Sequence, residues 1–333
     1  MNLGILFGGN SLEHEISIVS AYGLKKKLEA DYQITMIYIN HHNEIFNASR
    51  LVLDDFKYNR LKKLKKTRFI ARGIQGKKLD CILVCMHGEN GEDGLAAALC
   101  RFYHIPYVGS DVLASSIGID KMACYRYLSA NGIPMLESIS YTYEDYMQEK
   151  KIETYPCIIK PQNGGSSIGI YVCKTEKEFE DKVVQAFAVS SRLIIQPYYE
   201  ALTEYNLAIY ESGFSRLEKI EKKDEIFSFD NKYNESFKLM HQSLKDDSLA
   251  ADFQRIGREV YRLLDCSGII RIDFFRIDEQ IYVNEVNIIP GALAMYLFED
   301  FPKVLRECIK TAVTKKEIVY KKGNFLAKSN INK

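Results

Sequence analysis

Apolar runs at Leu3–Phe7, Ile34–Ile39 and Leu79–Met86 alternate with stretches at Leu12–Leu28 and Gly94–Tyr103 that carry helical patterns. Strand-length apolar runs separated by helix-length amphipathic ones predict a βαβ layered sheet, here residues 1–112. Past Gly109-Ser110-Asp111, two helix-like stretches lead to Pro134, and Ile158–Ile195 alternates strand, Gly-rich turn, strand, helix and strand. That pattern predicts a small central α+β domain, residues 113–195. Residues 196–322 read as a third unit with several strands and a helix from Asp247 to Leu264. An antiparallel pair, Ile269–Arg276 with Ile281–Val286, follows, and a helix near Lys303–Val313 closes the unit. Residues 323–333, rich in Lys and Asn, read as a frayed tail. The expectation is a three-domain chain of mixed α/β and α+β class.

The 333 residues are too many for one ordinary core, which agrees with several domains. Lys and Arg total 45 against 44 for Asp and Glu, so no bulk field holds the chain to nucleic acid or an anionic membrane. No apolar run approaches the roughly 20 residues that span a bilayer, and the start lacks a leader pattern; a cytoplasmic protein is expected. The basic run from Arg60 to Lys66 reads as a solvated helix face, with a phosphate-binding patch as the alternative. The eight cysteines sit mostly inside apolar segments, form no CxxC pair and read as small core residues.

Two constellations carry chemistry. Ile158-Ile-Lys160-Pro-Gln-Asn-Gly164-Gly165-Ser166-Ser167-Ile-Gly169 is a strand ending in lysine, followed by a Gly/Ser loop and a second strand. Glycines let backbone N–H groups approach phosphate oxygens and Lys160 supplies charge, so the stretch reads as a nucleotide flap, or more plainly as a Gly-rich hairpin turn. It is not a Walker loop, because the lysine precedes the glycines. In the second, Arg271 and Asp273 share one face of a strand, as do Glu285 and Asn287 on the next. Two carboxylates, a carboxamide and an arginine converging there suit a hard divalent cation beside an anion; a polar hairpin facing water is the alternative.

Together, and in this order, the two features resemble an ATP-grasp enzyme. Leu6-Phe-Gly8-Gly9-Asn-Ser11-Leu-Glu13-His14-Glu15-Ile-Ser17 narrows the resemblance to the D-alanine–D-alanine ligase family. His87-Gly-Glu-Asn-Gly-Glu-Asp-Gly94, Gly109-Ser110, Asp120-Lys121 and Phe229-Asp-Asn-Lys232-Tyr233 extend it. The resemblance implies a three-domain ATP-grasp fold and a reaction in which one D-alanine is phosphorylated by ATP on its carboxylate and joined to a second. That dipeptide would serve peptidoglycan precursor synthesis. By the same resemblance Glu15 holds the first ammonium group, and Ser166 and Tyr233 tie the loops over the site. Lys121, Lys160, Gly165, Ser167, Gln196, Tyr198, Glu204 and Lys232 bind ATP, with Lys232 at the γ-phosphate. Asp273, Glu285 and Asn287 ligate two Mg²⁺ ions, for which Mn²⁺ can substitute. Arg271 and the Gly291 N–H stabilise an oxyanion, His87 lies near the first substrate, and Tyr296 and Leu297 face the second. Glu15 with Ser11 as simple helix caps, and His87 as a structural turn residue, are the plainer alternatives. A homodimer through the first domain is also implied.

The sequence departs from the family pattern at Gln196, where an acid is usual, and at Ile288 and Tyr296, where threonine and serine are usual. A glutamine keeps a carbonyl acceptor for the adenine amino group. A phenol in place of the serine leaves the second amino acid open among D-alanine, D-serine, D-lactate and other small acceptors.

Overall fold

Alternating strand and helix patterns become three main sheets in the computed structural model, which describes residues 1–165, 168–220, 241–243 and 247–315. Ser166, Ser167, Lys232, Tyr233 and the expected tail lie outside those residues.

The first sheet has six strands, and its centre is parallel. Asn2–Gly8 lies between Gln33–Ile39 and Cys81–Val84, with Tyr107–Val108 on the far side of the latter. Leu3, Ile5, Leu6 and Phe7 are fully buried, as expected of a parallel strand covered on both faces. The first helix, His14–Leu28, buries Ile18, Ala21, Leu24 and Leu28 against it. At the opposite edge Ile45–Asn47 pairs antiparallel with Lys65–Lys66. This corrects the reading of Arg60–Lys66 as a helix face. The run forms one 3₁₀ turn, Leu61–Lys63, and then a two-residue edge strand with exposed lysines, Lys66 reaching Glu44 at 2.6 Å. Lysines on a short edge strand discourage pairing with another chain, and the helical propensity of the run loses to that edge position.

The central sheet has four antiparallel strands in the order Ile139–Thr142, Arg192–Pro197, Cys157–Pro161, Tyr171–Cys173, and the helix Glu176–Phe187 packs on it. Its core of Tyr141, Ile159, Phe179, Val183 and Leu193 is separate from the main core. That main core is continuous from the first sheet to the third.

In the third sheet Thr203–Tyr210 pairs with Glu218–Ile220 on one side and Ile270–Ile277 on the other, and Gln280–Asn287 closes the hairpin. One face is apolar. A Cβ on Gly257 of the helix Asp247–Leu263 would lie 2.5 Å from Ile209 and within contact of Leu207 and Ile272, so that helix rests on this face. Tyr205 and Phe274 meet the ring of Phe253 there. The opposite face carries the polar residues described below. All eight cysteines are buried and unbridged.

The helix Val112–Ile119, capped by the Asp111 carboxylate on the Val112 N–H, crosses the end of the hairpin. It does so closely enough that a Cβ on Gly118 would sit 2.5 Å from Ile288 Cγ1. Gly118→Ala is therefore expected to cost about 1–3 kcal/mol through overpacking. Urea denaturation measures it, and Ile288→Val on the same background should recover part of the loss.

Candidate active site

Register places the polar groups of the third sheet. Arg271 is the cross-strand partner of Asn287, and Asp273 of Glu285. Directly opposed residues share a face, so all four side chains stand on the face away from the Asp247–Leu263 helix. A bulge between Asp273 and Phe274 adds Asn284 opposite them. Lys160, at the end of its strand in the central sheet and buried, crosses to this hairpin. Its ammonium donates to Asn284 Oδ1 at 3.2 Å and lies over the Phe275 ring.

Each carboxylate of the pair meets a cation. Arg271 donates from Nε and Nη2 to Asp273 at 2.6 and 2.8 Å. Burial works against the charged guanidinium, but Asp273 outweighs it and holds the group well above its ordinary value. Lys121 Nζ lies 3.2 Å from Glu285 Oε1 and donates to the Gly164 carbonyl of the flap at 2.6 Å. Lys121 opens the helix Lys121–Ala130, whose first free N–H groups, on Met122 and Ala123, are capped by Asp120. Asp120 also accepts twice from Gln162 Nε2, at 3.0 and 2.8 Å, which ties that helix to the root of the flap.

The motif after the first strand forms the other wall. Ser11 does not cap the first helix; its hydroxyl donates to the His87 carbonyl and accepts from the Glu13 N–H. Glu15 is exposed in the first turn of that helix. Glu13 lies under the flap, since a Cβ on Gly165 would be 3.4 Å from its Oε1 and one on Gly88 3.3 Å from its Oε2. His14 is buried; its Nδ1 donates to Gly9 O at 2.6 Å and its Nε2 meets the Tyr38 hydroxyl at 3.1 Å. Burial pushes its imidazole below the usual histidine range, so it folds neutral.

His87 is buried with both ring nitrogens engaged by protein. Nδ1 donates to Ile289 O at 2.9 Å, and Nε2 shares a 3.1 Å hydrogen bond with the Ser20 hydroxyl. Ser20 Oγ in turn accepts from the Ala292 N–H. The loop held in this way, Pro290 to Leu297, has Ala292, Leu293 and Ala294 in succession at φ 49, 51 and 51°. Left-handed backbone costs a non-glycine residue roughly 1–2 kcal/mol. Nothing lies within 4 Å of a Cβ on Gly291, so that segment opens onto free space. Tyr296 is 42% exposed and Leu297 buried.

At the expected adenine position, Gln196 is buried in the strand Arg192–Pro197 and donates through Nε2 to Ser138 Oγ at 2.8 Å. The Tyr198 N–H donates to Pro156 O, and Glu204 stands two residues before Asn206 on the polar face of the third sheet. The structure thus brings together Lys121, Lys160, Gly165, Arg271, Asp273, Glu285 and Asn287, while His87 reaches them only through the loop it holds. Three contributors had no motif to reveal them, namely Ser20, Asn206 and Glu218. Glu13 was legible only as part of a longer motif.

Ala292→Gly is expected to leave stability unchanged or raise it by up to about 1 kcal/mol, whereas the β-branched Ala292→Val should lower it by more than about 1 kcal/mol, both read from thermal unfolding. A histidine held neutral when folded stabilises fully above its unfolded value near 6.5 and progressively less as pH falls below it. Wild type should therefore lose stability relative to His14→Gln between pH 7 and pH 5.

Comparison with known proteins agrees with this geometry. Family models described as the D-ala D-ala ligase N-terminus and C-terminus match residues 2–110 and 127–308. A D-alanine–D-alanine ligase from Campylobacter lari is 34% identical, with 96% of this chain and 95% of the relative aligned. One from Wolinella succinogenes is 35% identical over 92% of each. The crystal structure of the Helicobacter pylori D-alanine–D-alanine ligase superposes with a TM-score of 0.80 at 30% identity, covering 95% of this chain and 100% of that one. A D-Ala:D-Ser ligase from Enterococcus faecalis superposes at 0.79 with 25% identity, covering 94% and 99%. With both halves matched and relatives above 30% identity along nearly their whole length, the chain belongs to the D-alanine–D-alanine ligase family of ATP-dependent ligases.

Proposed function

We propose that the chain joins two D-alanines into D-alanyl-D-alanine at the expense of ATP, through an acyl phosphate, in the supply of peptidoglycan precursors. The observation that carries this reading is the single face on which Arg271, Asp273, Glu285 and Asn287 converge, with Lys121 and Lys160 reaching it from the flap side.

The first D-alanine's carboxylate attacks the γ-phosphate, the bond to the β-phosphate oxygen breaks and ADP leaves an acyl phosphate, while Lys121 and Lys160 offset the charge on the phosphates as fixed cations. The second amine, once deprotonated, attacks the acyl phosphate carbonyl, and phosphate leaves. Arg271 and the Gly291 N–H face the charge that develops on the carbonyl oxygen as preorganised donors. Glu15 takes the first ammonium group, and Gly165 belongs to a flap that closes over the intermediate to exclude water. Two carboxylates and a carboxamide on one face form an all-oxygen donor set that suits Mg²⁺ or Mn²⁺. Asp273, Glu285 and Asn287 would hold two such ions, which neutralise phosphate charge when bound. His87 serves the first substrate by holding the Ile289–Ala292 segment in place. Gln196, Tyr198 and Glu204 form the nucleotide's far wall, with the Gln196 carbonyl as acceptor for the adenine amino group.

Division into domains at residues 112, 195 and 322, a homodimer and a cytoplasmic location belong to the same reading. No helix among the described residues is long and apolar enough to cross a membrane. A different small acceptor is a second reading, favoured by Tyr296 where the family usually has serine.

Phosphate release from ATP and Mg²⁺ with D-alanine, L-alanine or no amino acid, with product masses determined, tests both. D-alanine-dependent release with D-alanyl-D-alanine as product is expected, and release without that dipeptide moves the assignment to another acceptor. Glu285→Gln should abolish turnover while the protein stays folded by circular dichroism, and normal turnover in that variant would sink the metal assignment.

A further inference from the structure

Lys121 follows a carboxylate directly in the chain, yet its ammonium is not spent on that neighbour. Among the described residues its ion pair is with Glu285, not with Asp120. Asp120 is engaged elsewhere. Its Oδ1 caps the helix, accepting from the Met122 and Ala123 N–H groups at 3.0 and 2.8 Å, and also accepts from Gln162 Nε2 at 3.0 Å. Its Oδ2 accepts from Gln162 Nε2 at 2.8 Å and, among the described residues, from no other group.

Gln162 is itself held on two sides. Its N–H donates to Arg192 O at 2.9 Å and its carbonyl accepts from the Lys121 N–H at 3.0 Å, which fixes it to the strand Arg192–Pro197 and to the helix start. The residue is 6% exposed, and its side-chain Oε1 is buried with no hydrogen-bond partner among the described residues. An unpaired buried acceptor lowers stability, a loss that an apolar side chain would avoid. What an apolar side chain cannot supply is the N–H donation to Asp120.

Charge gives that donation its consequence. Capping the helix engages Oδ1 alone and leaves Oδ2 as an acceptor one residue from the lysine. Without Gln162 this oxygen would be a bare anion placed to draw the ammonium onto itself and to repel phosphate. With Gln162 on it, the ammonium reaches Glu285 and the Gly164 carbonyl instead.

We propose that Gln162 is a positioning residue for the nucleotide: by engaging Oδ2 of Asp120 it keeps that carboxylate off Lys121 and leaves the lysine to the phosphates. The proposal rests on the reading of Lys121 as a phosphate ligand and adds to it the group that guards the lysine from its own neighbour.

The test measures the Kd of a non-hydrolysable ATP analogue with Mg²⁺ by calorimetry, beside KM and kcat in the ligation assay. At about 0.05 M salt Gln162→Leu should raise the analogue's Kd and the KM for ATP about tenfold, and leave KM for D-alanine and kcat at saturating ATP within about twofold. At about 0.5 M salt the defect should shrink to about threefold or less, because the freed charge is screened. Asp120→Asn keeps a capping oxygen and removes the charge, so adding it to Gln162→Leu should return Kd to within about twofold of wild type. Asp120→Asn alone should change little, since the idle Gln162 Oε1 can turn to accept from the new amide.

An unchanged Kd in Gln162→Leu overturns the proposal. So does a loss that is equal at both salt concentrations or that Asp120→Asn fails to repair, because the carboxamide would then be a structural pin. As Gln162 is buried, Gln162→Met, closer in length, is measured in parallel, with folding followed by circular dichroism. If neither variant folds, the carboxamide holds the fold and the proposal falls. Failure of the ligase reading looks different: wild type itself would form no D-alanine-dependent dipeptide, whatever the variants do to Kd.

Discussion

A loop that carries its own backbone strain must be held from outside, and here a buried imidazole does so. His87 grips the Ile289 carbonyl with one nitrogen and shares the Ser20 hydroxyl with the other, and Ser20 receives the Ala292 N–H. Three hydrogen bonds thus join the end of the Cys81–Val84 strand, the first helix and the loop after Asn287. The three left-handed residues that follow have no glycine to relieve them. Backbone of this kind persists only where the surroundings over-determine it. The continuous core under the first and third sheets supplies that constraint by burying Leu293, Ala294 and Leu297. Gly291 and Tyr296 inherit their places from this arrangement.

The third sheet explains how so much charge is tolerated beside a core. One face carries Tyr205, Leu207, Ile272 and Phe274 and is fully buried, while the other carries a carboxylate or carboxamide on each of four strands. Half-buried carboxylates side by side would repel and raise each other's proton affinity unless cations stood among them. Arg271 stands beside Asp273 on the same strand face and Lys121 beside Glu285, so the repulsion is met by neighbouring cations. Replacing either cation would take a counter-charge from a partly buried carboxylate, a loss larger than the pairwise interaction alone.

Periodicity made the strands and helices legible because a buried parallel strand and an amphipathic helix each write a distinct spacing. The Ile270–Ile277 and Gln280–Asn287 hairpin was legible with its polar face for the same reason. The rest depends on long-range partners. His87 finds Ile289 at 202 residues' separation, and no spacing near either residue signals it. Nothing in Ala292-Leu293-Ala294 announces left-handed backbone, which glycine normally signals, so only tertiary packing decides it. Glu218 sits in a three-residue strand whose alternation is too short to show which face it takes. Arg60–Lys66 misleads because lysine is both a good helix former and a good edge guard, and only the neighbouring strand decides between them.

Lys121 connects the remaining parts. Its ammonium spans Glu285 on the hairpin and the Gly164 carbonyl in the flap, while Asp120 beside it is bound to Gln162 at the flap's root. A polyanion entering under the flap competes for that ammonium, and a cation settling on the hairpin competes for Glu285. An uncharged residue at 121 would leave flap and hairpin folded but without this connection between them, because the contact is electrostatic and not part of either core.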